Sequence, residues 1–375
     1  VSGQGATGPS WFQRFLLPGF AFKAVVIGGG YATGRELAEF FLPSGPWGGL
    51  MAMGLATVIW SAVCVATFLF ARATVSEDYR TFFRNLLGPA WPAFEAAYVV
   101  FIVLILAVFG AAAGAIGAAV FGWPPIAGAL CLVLGIAGFV AFGNVAVERL
   151  FKYVSFFLYG VYALFLLLAL TRFGDRVALA FSEAAPTTGW AMGGLTYASY
   201  NIIGAVVILP VVRHFTSRRD AVVAGLLCGP LAMMPAALFF VCMAAYAPHI
   251  AAETLPSDFL LRRLDLPVFH ILFQLMIFAA LLESGTGGVH AVNERIAHVW
   301  TRSRGREFSK TARLAVAAAL LVGSIFIADR FGLVALIAQG YRLLAWMFLA
   351  VYVLPLMTWG LWRLWSGRAQ PAVAA

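Results

Sequence analysis

The segment Gly28-Gly29-Gly30-Tyr31-Ala32-Thr33-Gly34-Arg35-Glu36 puts glycines, hydroxyls and opposite charges inside a long apolar run. Three consecutive glycines cost roughly 1 kcal/mol each against alanine in a helix interior. Opened backbone at membrane depth is tolerated only where it is buried in protein or lines a cavity. A second run, Tyr197-Ala198-Ser199-Tyr200-Asn201 through Gly204, is unusually polar for its surroundings, with Pro210 beyond it. Polar side chains in such a position face a bundle interior or a water-filled cavity. Together Gly28, Gly29, Gly30, Tyr31, Ala32, Thr33, Tyr98, Tyr197, Ser199, Tyr200 and Asn201 could surround a compact ligand with aromatic rings and hydrogen bonds. That suits a small zwitterion or amine, such as an amino acid or derivative; a nucleobase-like heterocycle is the alternative. The competing structural readings are close helix contact through small residues and interhelical hydrogen bonding.

Charges in apolar surroundings ask for a reason, since each costs at least ~2.5 kcal/mol near a bilayer centre. Glu36 and Glu39 share one side of a short helix while Arg35 points elsewhere. Arg35 and Glu39 read as a gate facing an outer vestibule, or as an ion pair that only holds this half-helix.

These residues need elements to position them. Of 375 residues, 62% are hydrophobic and 11% charged, against about 25% charged in a soluble domain. The composition predicts an all-α integral membrane protein of ten helices. The spans run 11–42, 47–71, 91–119, 125–142, 150–170, 190–212, 221–246, 268–291, 312–328 and 332–364. The 25 basic residues concentrate on one side of this layout. Only Arg172, Arg176, Arg262, Arg263 and Arg330 fall opposite, with Arg35, Lys152 and Arg342 in or near spans. The positive-inside rule then puts both termini in the cytoplasm. The spans divide into repeats over 11–171 and 190–365, which enter the membrane with opposite orientation because five is odd. Each repeat opens on one of the two polar breaks, the layout of an inverted-repeat secondary transporter. Breaks are predicted at Gly29–Gly30 and between Asn201 and Gly204.

The glycine-rich stretch through Glu36, with Tyr197 to Asn201, resembles the amino acid–polyamine–organocation superfamily and its LeuT-type 5+5 fold. Within it, the chain is most similar to the YkvI-like bacterial membrane proteins. The resemblance implies an ion-coupled symporter acting by alternating access. In sodium-coupled members, hydroxyls of the eighth span and carbonyls of the broken first helix hold the ion. Here Gly28, Ser284 and Thr286 would do so, with Glu283 supplying charge. Ser284 and Thr286 are two apart and face different ways on a regular helix, and Ser or Thr can also bond back to helix carbonyls. In some proton-coupled relatives a lysine of the fifth span replaces sodium, which here would be Lys152; such a lysine can also snorkel to the interface. Proton coupling would run through Glu36, Glu283 or Lys152, and the balance leans to protons over sodium.

Other classes fit less well. The four cysteines show no paired spacing and only five histidines occur, so neither a metal cluster nor an enzyme's nucleophile–base set is suggested. There is no Walker motif, and a channel would want rings of charge around one pore. The basic loop 302–313 lacks interleaved aromatics, which argues against nucleic acid and for lipid headgroups. No cofactor is expected, the partners are a small-molecule substrate and membrane lipid, and the oligomeric state stays open. The arginine-, alanine- and glycine-rich composition suggests a bacterial inner membrane.

Overall fold

The computed structural model describes residues 9–27, 31, 33–142 and 144–367, without the side chains of 142, 144–156, 298 and 302. No strand occurs among the described residues. The helices are α1 (Leu17–Val26), α2 (Arg35–Phe40), α3 (Gly45–Ala73), α4 (Tyr79–Leu87), α5 (Pro92–Phe121), α6 (Pro125–Phe142), α7 (Asn144–Ser182) and α8 (Trp190–Asn201). They continue as α9 (Ile203–Val207), α10 (Arg218–Ala244), α11 (Pro256–Leu264), α12 (Pro267–Arg304), α13 (Lys310–Ala335), α14 (Tyr341–Phe348) and α15 (Leu361–Trp365). Among the described residues, six stretches are long and apolar enough to cross a membrane. The chain is a multi-pass membrane protein. The last stretch, Lys310–Trp365, has 56 residues, roughly twice what one crossing needs. It turns at Gly332 (φ 71, ψ 167), where the ninth expected span gives way to the tenth.

Helix ends differ from the apolar boundaries. The polar stretch after Leu170, expected as a link, stays helical to Ser182. It contains no proline and several good helix formers, so the helix continues after the apolar run stops. For the same reason α12 reaches Arg304, well past the expected end at Ala291, until Gly305 (φ 64) terminates it with a left-handed cap. Two short helices were hidden in expected loops. In α4 the Asp78 side chain caps the start by accepting from the Thr81 N–H at 3.0 Å. The second is α11, within the expected polar stretch 247–266.

Packing is tightest where glycine lets backbones meet. A Cβ on Gly225 of α10 would lie 2.6 Å from the Val65 nitrogen of α3, and one on Gly194 of α8 would lie 2.5 Å from the Ala52 oxygen. The Ser61 hydroxyl of α3 donates to Leu226 O of α10 at 2.9 Å. Ahead of α1, Arg14 donates twice to the Asp220 carboxylate, at 2.9 and 2.8 Å. That carboxylate also accepts from Thr216 N and Oγ1 and from the Ser217 hydroxyl, each at 2.8 Å. Asp220→Asn is therefore expected to free the segment before α1. Limited proteolysis should cut near residue 14 several-fold faster, and an unchanged rate would show that the segment is held elsewhere.

Candidate functional site

The first helix stops in the middle of the bundle. The last residue of α1 is Val26, and Ile27 leaves helical geometry (φ −77, ψ 73). Gly34 makes the turn into α2 in the left-handed region (φ 77, ψ −3), and its N–H bonds Tyr31 O at 2.9 Å. Glycine enters that region without steric cost. Of the expected break, Gly28, Gly29, Gly30 and Ala32 lie outside the described residues. The other helix, α8, ends at Asn201; α9 adds five residues, and Leu209–His214 wind as a 3₁₀-helix. A tighter turn joins α8 to α9, with the Ala205 N–H bonded to Ile202 O at 3.0 Å.

The two interruptions meet around one carboxylate. Glu36 is 4% exposed and accepts a 2.5 Å hydrogen bond from the Tyr200 hydroxyl of α8. The Tyr341 hydroxyl of α14 bonds the same group, and the Tyr200 and Tyr341 rings lie 4.4 Å apart. Tyr31 and Tyr197 are within electrostatic reach of Glu36. The Tyr31 hydroxyl sits 2.9 Å from that of Tyr162 on α7, which donates to Pro235 O at 3.2 Å. Tyr197 is fully buried and its hydroxyl has no partner among the described residues. Trp60 of α3 fixes α8 by donating from Nε1 to Ala198 O at 3.0 Å. Tyr162, Tyr341 and Trp60 were not singled out in the sequence, where an aromatic residue in an apolar helix reads as packing.

One end of this cluster is covered. Arg35 is 5% exposed and donates to Ala251 O (2.7 Å), Glu253 O (3.0 Å) and Glu39 Oε2 (3.0 Å). The Ser257 N–H donates to Thr33 O at 2.9 Å. Asp258 anchors the covering segment, accepting from Arg262 at 2.8 Å and from Gln274 at 3.0 Å, with His270 Nε2 at 2.6 Å. The Arg35–Glu39 ion pair lies within α2 itself, one turn apart, while Arg35 also reaches the backbone at Ala251 and Glu253.

The remaining candidates are placed unevenly. Ser199 spends its hydroxyl on Leu195 O at 2.7 Å, one turn back in α8, while Asn201 donates to Tyr197 O at 3.2 Å and keeps its own oxygen out of that bond. Asn201→Ala is therefore expected to weaken solute binding roughly tenfold, about one polar hydrogen bond, and Ser199→Ala much less. Equal losses, read by titration on well-folded protein, would contradict this ranking. Tyr98 stands apart. The Arg295 guanidinium lies 3.4 Å from its ring centroid and 3.8 Å from that of Tyr79, a cation–π sandwich. None of Tyr98's contacts among the described residues reaches the break.

Glu283, Ser284 and Thr286 lie on unbroken α12, so Ser284 and Thr286 point roughly 200° apart. Thr286 is buried and its hydroxyl has no partner among the described residues; one hydroxyl is a single oxygen where a hard cation wants about six. These residues do not make a sodium set by themselves. Lys152 lies on α7, with its side chain outside the description. Lys23, inside the first expected span, lies on α1, with Nζ 4.3 Å from the Tyr159 ring centroid of α7. Glu283 acts electrostatically on that same tyrosine.

No protein-family model matches the chain, and no curated protein matches it in sequence. Solved structures do match in fold. MhsT in complex with L-phenylalanine superposes with TM-score 0.59 at 17% identity, covering 97% of each chain. An Eremococcus coleocola manganese transporter gives 0.58 at 15%, over 95% of this chain and 81% of that one. A Na+-coupled sialic acid symporter gives 0.58 at 12%, over 91% and 78%. The chain has the LeuT-type fold of these transporters, with its first and sixth helices discontinuous.

Proposed function

We propose that the chain is a secondary transporter that carries a small zwitterionic or amine solute, an amino acid or derivative, by alternating access. The observation that carries this reading is the meeting of two interrupted helices around buried Glu36 and its tyrosines. Shared fold with a symporter, a metal-ion transporter and a protein described with bound L-phenylalanine supports it. In this reading 11–171 and 190–365 are the inverted repeats, and Gly28 to Thr33 with Tyr197 to Asn201 line the solute site. Arg35 and Glu39 close its outer side. A buried carboxylate without a fixed cation calls for a proton or a positive ligand, which keeps the balance on proton coupling through Glu36, Glu283 or Lys152. Lys23 joins them from α1. The placement is a bacterial inner membrane with both termini cytoplasmic, and the subfamily is the YkvI-like one.

Thermal-shift screening of the purified protein against amino acids, amines and nucleobases, with and without sodium, tests this. A stabilising solute among the amino acids or amines, with no need for sodium, is expected. Stabilisation by nucleobases that requires sodium would overturn the assignment of solute and ion.

A further inference from the structure

The shape of the break says which end of the solute is recognised, and this inference rests on the transport reading above. Both long half-helices run into the break with their C-termini. The ten residues of α1 end at Val26 and the twelve of α8 at Asn201. A helix C-terminus carries partial negative charge, although in α8 the Ala198 carbonyl already accepts from Trp60. The helices that leave the break are short: α2 has six residues and α9 five. They offer little opposing positive charge for a carboxylate.

The side chains agree with the backbone. Glu36 receives hydroxyl hydrogens, and among the described residues no lysine, arginine or histidine pairs with it. The nearby guanidinium of Arg35 commits its two terminal nitrogens to Ala251 O, Glu253 O and Glu39, and only its Nε has no partner among the described residues. The rings around Glu36 are tyrosines, whose faces attract cations, most strongly where water is excluded. A carboxylate brought to this place would meet Glu36 and two helix C-termini. A metal ion would find one carboxylate, since no group of three His, Cys, Asp or Glu side chains occurs among the described residues. We infer that Glu36 is the recognition carboxylate for an organic ammonium group of the solute, with Tyr31, Tyr197, Tyr200 and Tyr341 as the aromatic wall around it. The solute class is then an amine whose own carboxylate is dispensable.

The test uses matched compounds on the purified full chain: phenethylamine, L-phenylalanine and 3-phenylpropanoate, and isoamylamine, L-leucine and 4-methylpentanoate. At least one of the two amines should bind wild-type protein, no weaker than its zwitterion and at least tenfold tighter than its acid. Glu36→Gln should lower that amine affinity at least tenfold with an unchanged elution profile. Tyr341→Phe keeps ring and carboxylate and should lose less. The wild-type series decides the matter even if Glu36→Gln fails to fold. Acids binding as well as amines, no amine binding, full affinity in folded Glu36→Gln, or displacement of amines by micromolar manganese chloride would each overturn the inference. Gradient-driven uptake separates the two levels. If labelled amino acids accumulate and amines do not bind, only the ammonium assignment falls; if no labelled solute accumulates, the transport reading falls.

Discussion

Gly34→Val is expected to prevent accumulation of folded protein. Gly34 turns the chain between α1 and α2 at φ 77, where a side chain costs about 1–2 kcal/mol and a β-branched one more. A Cβ would also lie 2.8 Å from Phe239 Cε1 and 3.2 Å from Pro256 Cβ. The first atom belongs to a buried ring of α10 and the second to the start of the covering helix α11, so neither retreats freely. Overpacking of this kind costs about 1–3 kcal/mol. The sum, roughly 2–5 kcal/mol, is a large share of the ~5–15 kcal/mol that holds a typical fold. In detergent the variant should aggregate, or melt ~10 °C below wild type. Melting within two or three degrees, with normal uptake, would mean that the helix does not turn at Gly34.

Arg35→Ala is expected to uncover the site on its outer side. Arg35 joins α2 to the backbone of the covering segment through Ala251 and Glu253, and hydrogen bonds to charged groups are worth about 1.5–3 kcal/mol each. The Ser257–Thr33 backbone bond also ties the start of α11 to the break. The readout is a Ser257→Cys substitution in a protein whose native cysteines, Cys64, Cys131, Cys228 and Cys242, are replaced. Ser257 is fully buried, so a membrane-impermeant maleimide should label Ser257→Cys slowly. Adding Arg35→Ala should speed labelling at least tenfold and lower gradient-driven uptake, while Arg35→Lys restores part of the closure with a single point charge. Equal labelling with and without Arg35 would show that the cover does not depend on it.

How much of this could be read from the residues varies with the kind of force involved. Hydropathy marked where the chain leaves water. The helix at Pro125–Phe142 therefore has the bounds of its apolar run, whereas α7 and α12 outlast theirs because helix formation does not require apolar residues. The interruption of the first helix was legible from the energetic cost of its glycines and from Arg35 and Glu36 beside them. The partners of those side chains were not legible. Tyr200 lies 164 positions from Glu36, and Tyr162 lies 131 from Tyr31; no local pattern encodes such pairings. Ser199 looked available because its type suits a ligand, but a helical serine can satisfy itself on the preceding turn. Tyr98 packs against Arg295, 197 residues downstream in α12, through a contact that leaves no trace in spacing.

Solute accumulation in proteoliposomes tests the central claim most directly. Purified protein is reconstituted and offered a labelled mixture of amino acids and their decarboxylated amines, with pH and sodium gradients imposed one at a time. The account predicts concentration of at least one solute above its external level when a pH gradient is present, with no drive from sodium at constant pH. Equilibration without accumulation under either gradient would identify a passive pathway and contradict secondary transport. Accumulation driven by sodium alone would keep the transporter and refute proton coupling.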